Sequence, residues 1–136
     1  DRFLMTRNMA PGLATPADVI ELSLAGEVIS PPGARPFLER FIHAEISRAR
    51  PEVQAIVHSH SQTVLPYTVV PSVRLRPVCH MCGFLHGLGD TFEVASTAGP
   101  DSDLLIRSGK MGADLARCLG AQDLVRMRGY GFTVVA

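Results

Sequence analysis

The segment Ala55-Ile56-Val57-His58-Ser59-His60-Ser61 ends an apolar run in two histidines spaced i and i+2. A strand sends alternate side chains to opposite faces, so His58 and His60 point the same way. Two imidazoles on one face of a strand end can bind a divalent metal if other elements supply further donors. The alternative at that spacing is a pair of partly exposed strand-end histidines. Glu39 offers a carboxylate which, beside a metal in an apolar cleft, has its proton affinity tuned for proton transfer. On an ordinary helix face the same carboxylate is simply solvated. Tyr130 lies between Gly129 and Gly131. Its phenol can donate a hydrogen bond to a substrate, or ligate a metal after losing a proton that ordinarily leaves near pH 10. The plainer reading is an aromatic packed at a glycine turn.

Other residues carry weaker signals. Cys79-His80-Met81-Cys82 has the spacing of half a zinc site, but a structural zinc needs a second ligand pair and Cys118 stands alone. His80 therefore reads as an active-site polar group or a satisfied buried histidine, and His86, in a glycine-flanked loop, as a surface residue. Arg7 and Arg76 can clamp a substrate carboxylate through two parallel hydrogen bonds, or pair with surface acids. Gly83, Gly87 and Gly89 do not follow a strand and open a helix, so they are not expected to cradle a phosphate.

These residues must be held by a framework, and the pattern predicts one. Residues 2–6 read as a strand, Thr15-Pro16-Ala17-Asp18 as a capped helix start, and 19–24 and 28–29 as strands. Leu38, Phe41, Ile42, Ile46 and Ala49 recur at helical spacing, which predicts a helix over 37–49 with Glu39 and His43 as i, i+4 neighbours. A strand over 54–59 follows, then a short helix after His60, an irregular proline-rich stretch and a loop over 84–90. A short strand over 92–95, a helix over 102–119 capped by Gly120, and strands over 123–128 and 132–136 complete the chain. Long helices alternating with β-rich segments indicate a layered α/β domain.

Composition narrows the function classes. The 136 residues can bury a real core as a single domain, and 13 basic residues balance 13 acidic ones. No global charge draws the chain to nucleic acid. No apolar run approaches the roughly 18 residues of a membrane span, so no membrane partner is expected and the default location is the cytoplasm. The three cysteines make no disulfide framework. Both ends read as interior strands, so further segments are expected on each side.

Glu39-Arg40-Phe41-Ile42-His43, then Arg50-Pro51-Glu52-Val53-Gln54-Ala55-Ile56-Val57-His58-Ser59-His60, then Met127-Arg128-Gly129-Tyr130-Gly131 together resemble the class II aldolase/adducin family. The likeness covers nearly the whole chain. Arg2-Phe3-Leu4-Met5, Leu38 to His43 and Leu75 to Met81 make it most similar to the branch that decarboxylates small hydroxy or oxo acids. The resemblance implies a layered α/β/α fold with a central β-sheet, here truncated at both ends. It also implies metal ligands at His58 and His60 and an acid/base role for Glu39. The third metal histidine of the family falls at Tyr130, which leaves the metal to be completed by Glu39, His80 or water, or the activity impaired. Phosphate-acting members carry two serines before the glutamate where this chain has Phe37-Leu38, which points to a non-phosphorylated carboxylic-acid substrate. The implied function is a metal-dependent carbon-carbon lyase, a decarboxylase, working through zinc, or manganese or cobalt. An aldolase and a non-catalytic adducin-like scaffold are the alternatives. A homotetramer with active sites between subunits is implied as well.

Overall fold

Strand β1 (Arg2–Thr6) pairs antiparallel with β2 (Val19–Ser23), Leu4 opposite Glu21, and β3 (Val28–Ser30) extends the sheet. Alternation in β2 buries Ile20 and Leu22 on one face, as a half-buried strand requires. The computed structural model describes residues 1–85 and 88–136, so the reading of His86 as a surface residue lies outside the described residues. Between β1 and β2, Thr15 and Asp18 form a reciprocal capping box around a 3-10 turn, Pro16–Asp18, in place of a full helix start.

The expected central sheet is the four-stranded one, in the order β4 (Ile56–Ser59), β7 (Gly131–Val135), β6 (Leu124–Met127), β5 (Thr91–Phe92). Its pairs are antiparallel except β5 with β6, and the first three strands hydrogen-bond among themselves as a separate sheet. Helix α1 (Arg40–Ala49) and helix α4 (Gly109–Leu119) pack on each other beside the inner face of the four-stranded sheet, where Ile42, Ile46, Leu115, Leu119, Val125 and Met127 form the core. Gly112 is required at the crossing, since a Cβ there would collide with the Phe41 carbonyl. Arg50 ties the end of α1 to the chain before β6, with Nη1 donating to the Gln122 carbonyl at 2.7 Å and Nε pairing with Glu52 at 2.8 Å.

Three elements depart from the periodicity. Helix α1 starts at Arg40 and leaves Glu39 at its N-cap, because the Arg40 guanidinium donates to the carbonyls of Phe37 (3.2 Å) and Gly26 (2.6 Å) and fixes residues 37–39 as a turn. Helix α4 starts at Gly109. The side chains of Ser102 and Asp103 take the Leu104 and Leu105 amides, Leu104 has φ 67°, and Ser108 caps the true start. The strand expected over 92–95 stops at Phe92, where Val94–Ala98 turns into a short helix, α3, with Ser96 Oγ bonded to the Glu93 carbonyl. A one-turn helix, α2 (Pro66–Val69), follows His60 as expected.

Candidate metal centre

Three elements deliver the site. Strand β4 carries His58 on its inner face and leads directly to His60; the turn into α1 presents Glu39; and the turn between β6 and β7 presents Tyr130. Gly131 makes the last approach possible. Its φ is +147°, and a Cβ there would collide with the Ser59 carbonyl and lie 3.1 Å from the His60 Cα.

The two imidazoles meet at Nε2 to Nε2, 3.2 Å apart. Glu39 Oε1 lies 3.7 Å from His58 Nε2, and Glu39 Oε2 lies 3.6 Å from His60 Nε2. Tyr130 hydroxyl donates to Glu39 Oε1, and its ring stands edge-on to His60, with centroids 4.4 Å apart. His58 Nδ1 faces the Phe132 carbonyl and Thr133 Oγ1, each at 3.1 Å. A carbonyl only accepts, so Nδ1 carries the proton and the Nε2 lone pair points into the cluster. His58 is nearly enclosed, whereas the His60 side chain is 53% exposed, so the site opens to solvent on that side.

Electrostatics follow from this uneven burial. Burial pushes the Glu39 carboxyl above its ordinary value, against the lowering effect of His60. Burial also lowers His58 to about 4, with the charges of His60 and His43 adding to the effect and the bond to Phe132 opposing it. Neutral imidazoles are the form that binds metal.

The donor set fits a divalent ion. Ligands at roughly 2.0–2.1 Å in a tetrahedron stand about 3.3 Å from one another; the two Nε2 atoms are 3.2 Å apart, and each has one Glu39 oxygen, a different one, at 3.6–3.7 Å. Among the described residues, Glu39, His58 and His60 are the one group of three or more His, Cys, Asp or Glu gathered closely enough to hold an ion. Tyr130 is 8% exposed and bonded to Glu39, so it combines packing at the glycine turn with the support of one ligand.

The remaining candidates lie elsewhere. His80 is exposed at the start of a 3-10 turn, His80–Leu85, which corrects the reading of a buried histidine, and it is not part of the cluster. Arg7 pairs with Asp18 at 2.7 Å; hydrogen bonds from Thr15, then from Arg7, hold that carboxyl down at about 2. Arg76 lines a cavity with Arg74, Arg126 and Arg128, without Glu39, His58 or His60. Cys79 and Cys82 approach to 3.4 Å between sulfurs, and Cys118 is free and apart, near the Asp90 carbonyl. Thr133 and the Phe132 carbonyl, which orient His58, escape sequence reading. Their signal is the register His58↔Thr133, visible only after β4 is paired with β7.

Residues 1–136 match the family described as Class II Aldolase and Adducin N-terminal domain. The chain belongs to this family. Among curated members it is 44% identical over 147 residues to the decarboxylase tropJ of Talaromyces stipitatus, covering 99% of this chain and 55% of that protein. A 3,4-dihydroxyphthalate decarboxylase of Arthrobacter keyseri is 25% identical over 95 residues, covering 70% of this chain and 37% of the relative. The chain thus spans about half the length, or less, of these curated relatives. The fold agrees: an aldolase II superfamily protein from Pseudomonas syringae superposes with a TM-score of 0.76 over 99% of this chain and 51% of that one, at 16% identity.

Proposed function

We propose that this chain supplies the metal-binding part of a carbon-carbon lyase that decarboxylates a small, non-phosphorylated hydroxy or oxo carboxylic acid. The observation that carries this reading is the convergence of Glu39, His58 Nε2 and His60 Nε2 on one point, with Tyr130 bonded to the carboxylate. The decarboxylase names of the two curated relatives support the choice of reaction. Phe37 and Leu38 before Glu39 bring no hydroxyl for a phosphate group.

A divalent ion held by Glu39, His58 and His60, zinc or else manganese or cobalt, supplies Lewis-acid stabilisation of the negative charge that develops on the substrate as CO2 leaves. His58 keeps its Nε2 lone pair directed inward because Phe132 and Thr133 hold Nδ1. Tyr130 anchors Glu39 Oε1 and leaves Oε2 on the open, His60 side. As a ligand Glu39 is a carboxylate; released from that place, its carboxyl, raised by burial, would be the acid that protonates the carbon left by CO2. Of the two arginines that could clamp a substrate carboxylate, Arg7 is engaged by Asp18 and Arg76 lines a cavity apart from Glu39, His58 and His60. His80, exposed on its turn, is available to the site of a neighbouring subunit in the proposed homotetramer. The proposed location is the cytoplasm.

An aldolase shares the same groups and differs in the carbon fragment released. A scaffold role is favoured by one observation, the phenol of Tyr130 where the family places its third metal histidine. CO2 release from hydroxy and oxo acids, measured for the protein and its Tyr130→His variant, separates these readings. Turnover in the wild type supports the decarboxylase, turnover gained only in the variant favours the scaffold, and no turnover in either overturns the decarboxylase reading.

A further inference from the structure

Strand β6 has two faces. Val125 and Met127 point into the core and Arg126 to the other face, and Arg128 follows in the turn after the strand. The two arginines line a cavity of about 910 Å³ together with Arg74 and Arg76, which arrive from the chain after α2, and Tyr67 and Asp90. Arg128 is neutralised by Glu93, Nε to Oε2 at 2.6 Å. Arg74, Arg76 and Arg126 form no ion pair among the described residues. Three uncompensated guanidinium groups thus face a single lining carboxylate, Asp90.

Arg126 adds an independent observation. Its Nη2 donates to the Gly89 carbonyl at 2.9 Å, while its Nε is covered from solvent and has no partner among the described residues. Buried donors in folded proteins are almost always satisfied, and a buried N–H of a cation is an expensive one to leave open. A planar guanidinium matches the oxygens of carboxylates and phosphates, and several converging on a partly enclosed cavity select for more than one negative charge.

We propose that this cavity binds a small multivalent oxyanion, a phosphate or a polycarboxylate, at a site separate from the Glu39–His58–His60 cluster. Arg126, held by the Gly89 carbonyl, supplies a fixed positive charge at the cavity wall, and Arg74 and Arg76, from the chain after α2, supply donors to the anion. The inference does not rest on the lyase reading, because none of the three metal-centre residues lines the cavity.

Isothermal titration of the metal-free protein with inorganic phosphate, and separately with tricarballylate, tests it and identifies the anion class. Saturable binding of either anion is expected, weakening as salt is raised. Arg126→Gln should weaken it at least tenfold. The exposed pair Arg74→Gln/Arg76→Gln, which leaves the sheet untouched, should do the same without changing the circular dichroism spectrum. No saturable binding of either anion overturns the proposal. So does binding that survives both sets of replacements, or binding abolished by His58→Ala and not by the arginine variants.

Discussion

Tyr130 hydroxyl donates a hydrogen bond to Glu39 Oε1, joining the β6–β7 turn to the N-cap of α1 across 91 residues of sequence. This contact puts a phenol behind a candidate metal ligand. It holds the carboxylate beside His58 and His60, so that an ion bound there would have three protein donors.

Removing the hydroxyl should loosen that carboxylate. Tyr130→Phe is expected to cost about 1.5–3 kcal/mol in folding stability, the worth of a hydrogen bond to a charged group, and to weaken zinc binding. Denaturant midpoints and zinc titration check both effects. Tyr130→His should instead tighten zinc by adding an imidazole.

Orientation of His58 depends on its outer nitrogen. Thr133→Val preserves shape but deletes the hydroxyl 3.1 Å from Nδ1. Metal affinity should fall by roughly 10-fold, and at most about 100-fold, the range for ligand-orienting partners. The remaining Phe132 carbonyl keeps the ring in place, so folding stability should change much less than affinity.

Gly131 permits the close approach of β7 to the Ser59–His60 backbone. Gly131→Ala combines a positive φ with a collision against a backbone carbonyl. The expected destabilisation is at least about 3 kcal/mol, among the larger single-residue effects, read as a shift of the thermal or urea midpoint.

His43 sets a pH dependence. Burial lowers its pKa from 6.5 to about 4, so the folded protein holds it neutral. The unfolded chain takes up a proton near pH 6.5 that the fold refuses until about pH 4. Stability is therefore complete above pH 6.5 and declines as pH falls through this window, by about 2 kcal/mol from this group at pH 5. His58 contributes in the same direction in the metal-free protein. Urea midpoints at about pH 7.5 and about pH 5 should differ more for wild type than for His43→Leu.

The site was legible in the sequence to the extent that it is local. His58 and His60 share a face because a strand alternates, and Glu39 and Tyr130 are placed by family motifs that survive in this chain. What lies between elements was not legible. The Tyr130–Glu39 bond needs a tertiary approach that only Gly131 allows, and Thr133 becomes a partner of His58 only through the pairing of β4 with β7. The same limit applies to the fold. Apolar spacing overextended α1 and α4, because it cannot see the Arg40 guanidinium on the Phe37 carbonyl or the Ser102 and Asp103 side chains taking helix amides. Arg7 and Arg76, paired by chemistry alone, prove to sit in different surroundings.

Glu39, His58 and His60 are proposed to hold one divalent ion. Metal content measured by plasma mass spectrometry after zinc loading and exhaustive dialysis tests it most directly. The wild type should retain about one zinc per chain, and that zinc should be lost in His58→Ala and His60→Ala variants that keep their fold. A folded wild type that retains no zinc, or zinc retained equally by both variants, would contradict it.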